Sequence, residues 1–208
     1  MMKAIIFDVD GVLIDSFEGN FDFFQRLMKK NGYPIPTREI YRDVFHLPMK
    51  ETIRELTGSI DEEEIERLWI MGVEKKVVSF NTELVKLSSG VQETLEKLSL
   101  KYTLAIVTSR TRQSFSSLPQ LVSLFDYFKI IIAYQDTEHH KPDPEPLLLA
   151  CEKLGVTPDE VVYVGDSFTD VEAAHRAGIK VIAFPQPLEG AHGHVTFFPD
   201  LLDTILYL

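Results

Sequence analysis

Three features of this sequence predict an α/β fold: a parallel sheet covered by helices on both faces, with an all-helical insertion. Short apolar runs recur along the chain, each compact enough for a buried strand. Helical patterns alternate with them through short connections. One stretch, residues 15–85, breaks that rhythm and carries helical patterns with no strand-like run.

In chain order, residues 3–9 form the first apolar run, which ends in Asp8-Val9-Asp10-Gly11 and reads as a buried strand entering a turn. The insertion follows. Residues 17–31 place Phe17, Phe21, Phe24, Leu27 and Met28 at helical spacing, the mark of a packed face. Helices are expected over Met49–Thr57 and over 61–80, the latter opening with acidic residues 61–64 that suit the positive end of a helix dipole. Alternation then resumes with a helix over 90–100, in which Val91, Leu95 and Leu98 share a face. Strands are expected at 103–108, 129–134, Val161–Gly165 and 180–184. Helices over 143–154 and 167–177 end at Gly155 and Gly178, residues suited to the left-handed cap position. The expected division is a core of residues 1–14 and 86–208, with a separate helical cap of residues 15–85.

The 208 residues are 45% hydrophobic and 25% charged, an ordinary globular composition. With 32 acidic against 21 basic residues the net charge is −11, which argues against nucleic acid or an anionic membrane as partner. A single cysteine, Cys151, rules out an intramolecular disulfide and a cysteine-rich zinc site. It follows a leucine-rich run and reads as a buried filler. No apolar stretch approaches a membrane span, and the N-terminal run is too short for a signal peptide. A soluble, cytoplasmic protein is the expectation. The sequence carries no signal for oligomeric state.

Residues that bear chemistry gather where strands end, the edge at which α/β sheets bind ligands. Asp8 and Asp10 flank Val9 and point to the same side of an extended chain, so two carboxylates face one small volume. Such a pair implies a cation or a shared proton, or else a turn that caps a following helix. Thr108-Ser109-Arg110 ends another strand, where a hydroxyl and backbone N–H groups suit either a phosphate oxygen or a helix N-cap. Lys141-Pro142-Asp143-Pro144 fixes a lysine between a strand and a helix, aimed into the crevice or lying on the surface. Gly165-Asp166-Ser167-Phe168-Thr169-Asp170 brings two more carboxylates to a strand-to-helix junction, where Asp166 or Ser167 could equally serve as a cap. The histidine pairs 139–140 and 192/194 read as loop residues, and His175 as structural or exposed.

Four such motifs, in this order and each at a strand end, resemble the haloacid-dehalogenase-like (HAD) hydrolase superfamily through DVDGVLID, VTSR, KPDP and GDSFTD. The resemblance spans essentially the whole chain and implies a Rossmann-like core with the family's small helical C1 cap. It further implies Asp8 as the nucleophile that forms an aspartyl-phosphate, and Asp10 as acid to the leaving oxygen and base to the hydrolytic water. Magnesium would be held by Asp8, Asp166 and the Asp10 backbone carbonyl, a set of oxygen ligands suited to that hard cation. Thr108 would hydrogen-bond the phosphoryl group, Lys141 would neutralise it, and Asp170 would orient Lys141 or a metal-bound water. Dehalogenases of the superfamily lack the second aspartate, so Asp10 favours phosphate chemistry.

In the insertion, His46-Leu47-Pro48-Met49-Lys50 resembles the segment that carries a substrate-contacting cation in sugar-phosphate members. His46 stands where many relatives have glycine. Lys50 is thereby a candidate substrate contact, with Ser109 as a further one, and Arg110 and Arg112 as weaker ones. The function implied is a magnesium-dependent phosphomonoester hydrolase acting on a small phosphorylated metabolite. A phosphomutase resembling β-phosphoglucomutase shares the same aspartates. A receiver-like phospho-signalling module also combines acidic residues, a hydroxyl and a lysine at strand ends. Its acceptor, however, follows the third strand, and it lacks a helical insertion.

Overall fold

The computed structural model describes residues 1–74 and 78–208. Their strands are β1 (Ala4–Phe7), β2 (Ile14–Asp15), β3 (Lys86–Leu87), β4 (Thr103–Val107), β5 (Phe128–Ile132), β6 (Val161–Gly165), β7 (Lys180–Ala183) and β8 (Gly193–His194). Their α-helices are α1 (Phe17–Lys30), α2 (Arg38–Val44), α3 (Met49–Thr57), α4 (Glu62–Val73), α5 (Val91–Ser99), α6 (Arg112–Ser116), α7 (Pro119–Val122), α8 (Glu145–Leu154), α9 (Phe168–Ala177) and α10 (Leu201–Thr204).

Six strands form one sheet in the order β5-β4-β1-β6-β7-β8, every pairing parallel. β1 lies inside it and is buried along its whole length, with Phe7 in register with Ile106 and Val164. Its residues alternate between two packed faces, as the pleat requires. Ala4 and Ile6 join Tyr163 of β6 and Leu147, Ala150, Cys151, Ala173 and Ala174 from the inward sides of α8 and α9. Phe7 stacks on Phe198 at 6.0 Å and meets Phe128 edge-on at 6.1 Å. Cys151 is the expected buried thiol, and burial pushes its pKa up to about 11.

The contacts divide the chain into two compact units, Met1–Asp15 with Leu87–Leu208, and Ser16–Lys86. The second unit has its own core, in which Phe24, Leu27 and Met28 of α1 pack with Tyr41, Ile53, Ile65 and Leu68. Thr37 and Asp61 cap α2 and α4 by accepting the backbone N–H of Ile40 and Glu63. The helix expected over 61–80 is shorter, because α4 stops at Val73. Residues 75–77 of that expectation lie outside the described residues. Beyond them the Ser79 carbonyl accepts from the Arg26 guanidinium at 2.7 Å and Val78 is buried in the core, so tertiary contacts hold this segment.

The two-residue strands β2 and β3, which pair with each other, are too short to show any periodicity in the sequence. The His192-Gly193-His194 loop is corrected too, since Gly193–His194 is the edge strand β8 and His192 Nδ1 accepts the Val181 N–H. No helix among the described residues is long and apolar enough to cross a membrane.

Candidate active site

All four motifs lie in the sheet unit, and the parallel register brings their ends to one edge. The Asp8 N–H donates to the Val164 carbonyl, carrying the ladder one residue past β1. The Thr108 N–H donates to the Ile132 carbonyl in the same way beyond β4. The turn after β1 closes through the Gly11 N–H on the Ile14 carbonyl, with Gly11 at φ 71°. A Cβ on Gly11 would lie 1.8 Å from Asp166 Oδ2, so the glycine admits the carboxylate that follows β6. The group packed against Gly11 is the Asp166 side chain. Gly11→Ala should therefore displace Asp166 as well as strain the turn, costing roughly 1–3 kcal/mol. The measurements are a melting curve and a titration with a divalent cation, with weaker cation binding as the diagnostic result.

Lys141 sits at the centre. Its ammonium reaches Asp170 Oδ1 at 2.6 Å, the Tyr163 hydroxyl at 3.0 Å and Asp8 Oδ1 at 3.2 Å. Tyr163 in turn donates to Asp170 Oδ1 at 2.8 Å. The other Asp170 oxygen accepts the backbone N–H groups of Asp166 and Ser167 and the Ser167 hydroxyl. Ser167 is also the N-cap of α9, where it accepts the Asp170 N–H. Asp170 thus ties the lysine to the turn that carries Asp166, and both its oxygens are engaged in doing so.

Lys141 and Asp170 are buried, and so is Asp8, but their charges do not balance. Burial raises the Asp8 pKa to about 7, assisted by Asp170 and Asp10 and opposed by Lys141. Burial likewise lifts Asp166 well above the usual carboxylate range, with Asp170 and Asp8 adding repulsion. Asp170 behaves in the opposite way: against its burial, the Lys141 charge together with hydrogen bonds from Lys141, Ser167 and Tyr163 holds its pKa low. Lys141 is kept charged because Asp170 and Asp8 overcome its own desolvation. Oxygens of Asp8, Asp166 and Asp170 lie within 4.8 Å of one another. An all-oxygen cluster of three acids facing one lysine suits a hard divalent cation. With Asp170 committed to Lys141 and the turn, Asp8 and Asp166 are the carboxylates left to hold it.

Thr108 accepts the Arg110 N–H on Oγ1, which leaves its hydroxyl proton to donate elsewhere. Thr108, Ser109 and Lys141 line one recess with Tyr134 and His140, whose rings stack at 3.9 Å. Arg110 is nine-tenths buried and grips Asp10 through two bonds, Nε to Oδ2 at 2.7 Å and Nη2 to Oδ1 at 2.6 Å. Arg112 pairs with Asp136. Lys50 in the helical unit pairs with Glu66 at 2.5 Å and stands over the Trp69 ring at 4.5 Å. The residue that sequence reasoning missed is Tyr163. Its only signal was a tyrosine in a valine run, on the same side of β6 as Gly165.

A parallel sheet with two aspartates after its first strand, and a hydroxyl, a lysine and further acids at the ends of later strands, defines a family of hydrolases. The chain belongs to the haloacid dehalogenase-like hydrolases, whose family profile matches residues 5–184. It is similar to a phosphorylated-carbohydrates phosphatase of Thermotoga maritima, 32% identical over 182 residues, which are 87% of this chain and 84% of that protein. A pyrophosphatase of Bacillus velezensis is 31% identical over 202 residues, 97% of this chain and 91% of its own. The solved structure of a HAD-superfamily hydrolase of subfamily IA, variant 1, from Geobacter sulfurreducens is 32% identical with a TM-score of 0.72. That match covers 98% of this chain and 96% of the other.

Proposed function

We propose that this enzyme is a magnesium-dependent hydrolase of small phosphate esters that works through an aspartyl-phosphate on Asp8. The observation that carries this reading is the placement of Asp8. Its carboxylate lies 3.2 Å from a buried lysine and within 4.8 Å of the Asp166 and Asp170 oxygens, at the end of the first strand. The phosphatase relatives support the same reaction class.

Asp8 would attack phosphorus as the ester P–O bond breaks, its electron pair passing to the leaving oxygen. Asp10 gives that oxygen a proton, then removes one from the water that attacks the acyl-phosphate. Thr108 donates its hydroxyl proton to a phosphoryl oxygen, and Lys141 sets its positive charge against Asp8 and the phosphate together. Asp170 and Tyr163 hold the ammonium in place. Asp8 and Asp166 are the side chains that would bind magnesium, with the Asp10 carbonyl implied by the family. When bound, the ion neutralises charge that one lysine does not balance. The helical unit of residues 15–85 serves in this reading as the cap that excludes water.

A panel of phosphorylated metabolites, scored for phosphate release and for isomer formation, tests the reading. Phosphate release that needs magnesium and stops with chelator is expected. Conversion of β-glucose 1-phosphate to glucose 6-phosphate with little free phosphate would identify a mutase instead.

The charge balance supplies a test that needs no substrate. Asp8 and Asp166 bind protons more tightly in the folded chain than in the unfolded one. Without metal, their contribution makes stability fall as pH rises from about 4 through about 7. Magnesium should therefore raise the melting temperature clearly at pH 8 and little at pH 5. An equal rise at both would remove these carboxylates as the binding site.

A further inference from the structure

Asp10, the proposed acid and base, is held by Arg110 through both of its carboxylate oxygens, at 2.6 and 2.7 Å. In that grip both carboxylate oxygens already accept a guanidinium N–H. Arg110 is itself fixed on every side. Its N–H donates to Thr108 Oγ1, its carbonyl accepts the Tyr134 N–H, and Nη1 donates to Ser114 Oγ at 3.1 Å. The guanidinium side chain is 8% exposed, whereas that of Asp10 is 25% exposed. Of the two partners, Asp10 is the one with room to leave.

Leaving has a condition. A nearly buried guanidinium stripped of its carboxylate is an uncompensated charge, and breaking such a pair from one side is strongly unfavourable. The exchange becomes neutral when another anion takes the carboxylate's place, and planar carboxylates and phosphates both match the guanidinium fork. The Arg110 backbone N–H is bonded to Thr108, the expected phosphate contact, and its guanidinium stands on Asp10, the expected acid to the leaving oxygen, so the anion it would take belongs to the leaving-group part of a substrate.

We propose that Arg110 is a substrate-operated latch on Asp10. It releases the aspartate when a second anionic group of the substrate, a carboxylate or another phosphate, takes the guanidinium. The substrate class is then phosphate esters that carry a second anion, and esters with none are turned over slowly because Asp10 stays held. Arg110 is a positioning residue, acting on the chemistry through Asp10. The inference rests on the phosphatase reading for its kinetic consequence, but the anion exchange itself does not require turnover.

The test compares 2-phosphoglycolate with ethyl phosphate, a near-isostere that lacks the carboxylate. In Asp8→Asn with magnesium, the Arg110 Nε–H resonance, assigned by its loss in Arg110→Lys, should shift with phosphoglycolate and stay in place with ethyl phosphate. Equal shifts with both ligands, or a shift with neither, would overturn the latch. In kinetics, the wild type should prefer phosphoglycolate. Arg110→Gln should reduce that preference tenfold or more, by raising KM for phosphoglycolate far more than KM for ethyl phosphate. Arg110→Lys, which keeps a cation without the fork, should restore part of the preference. Equal losses on both substrates would make Arg110 a structural residue and end the proposal. A selective resonance shift in a protein whose wild type releases no phosphate would retain the anion exchange and reject the hydrolase reading.

Discussion

Asp8→Asn should lower phosphate release from p-nitrophenyl phosphate by at least about a thousandfold, the loss expected when the proposed nucleophile of a concerted site is removed. An amide oxygen carries no negative charge to attack phosphorus, and the substitution also removes one of the carboxylates that would hold magnesium. The loss should fall on turnover, because the side chain keeps its shape. Asp8 is raised to about 7 by its burial, so the neutral amide removes a costly charge above that pH. The variant should stay folded at pH 8, and magnesium should raise its melting temperature less than it does for the wild type. Metal-independent turnover persisting in Asp8→Asn would sink the mechanism.

Asp170→Asn has the largest expected effect on stability. Asp170 is fully buried and accepts from Lys141, Tyr163, Ser167 and the Asp166 N–H. An amide must turn an NH2 group toward some of those donors, and it leaves the buried Lys141 without its closest counter-charge. Breaking one side of a buried pair costs about 3–5 kcal/mol. For a chain of this size that corresponds to a fall of roughly 10 °C in melting temperature at pH 7. The sign with pH is definite. The Asp170 pKa is lowered on folding, so the stability it contributes is present above about 4 and lost as pH falls through its folded value. The gap between variant and wild type should narrow in acid. Equal melting temperatures at pH 7 would show that Asp170 does not anchor Lys141.

Long periodic elements were legible in the sequence because their pattern is local. Met49–Thr57 is a helix as expected, and 17–31 and 90–100 differ from α1 and α5 only at their ends. The left-handed caps at Gly155 and Gly178 lie where the glycines placed them. Elements without local periodicity were missed: the two-residue strands β2, β3 and β8, and the end of α4, where Arg26 reaches the Ser79 carbonyl from α1.

By itself the sequence determined the α/β class, the helical insertion and the four motifs at strand ends. Apolar spacing, glycine caps and carboxylate spacing are properties of neighbouring residues, and they survive without a fold. Only the tertiary structure decided which groups meet. It brought Tyr163 onto Lys141 and Asp170 across 22 and 7 residues, and Arg110 onto Asp10 across 100. It also put Asp166 against Gly11 and paired Lys50 with Glu66. Such contacts depend on strand order and register, which long-range packing sets, and the balance of charge at the site follows from them.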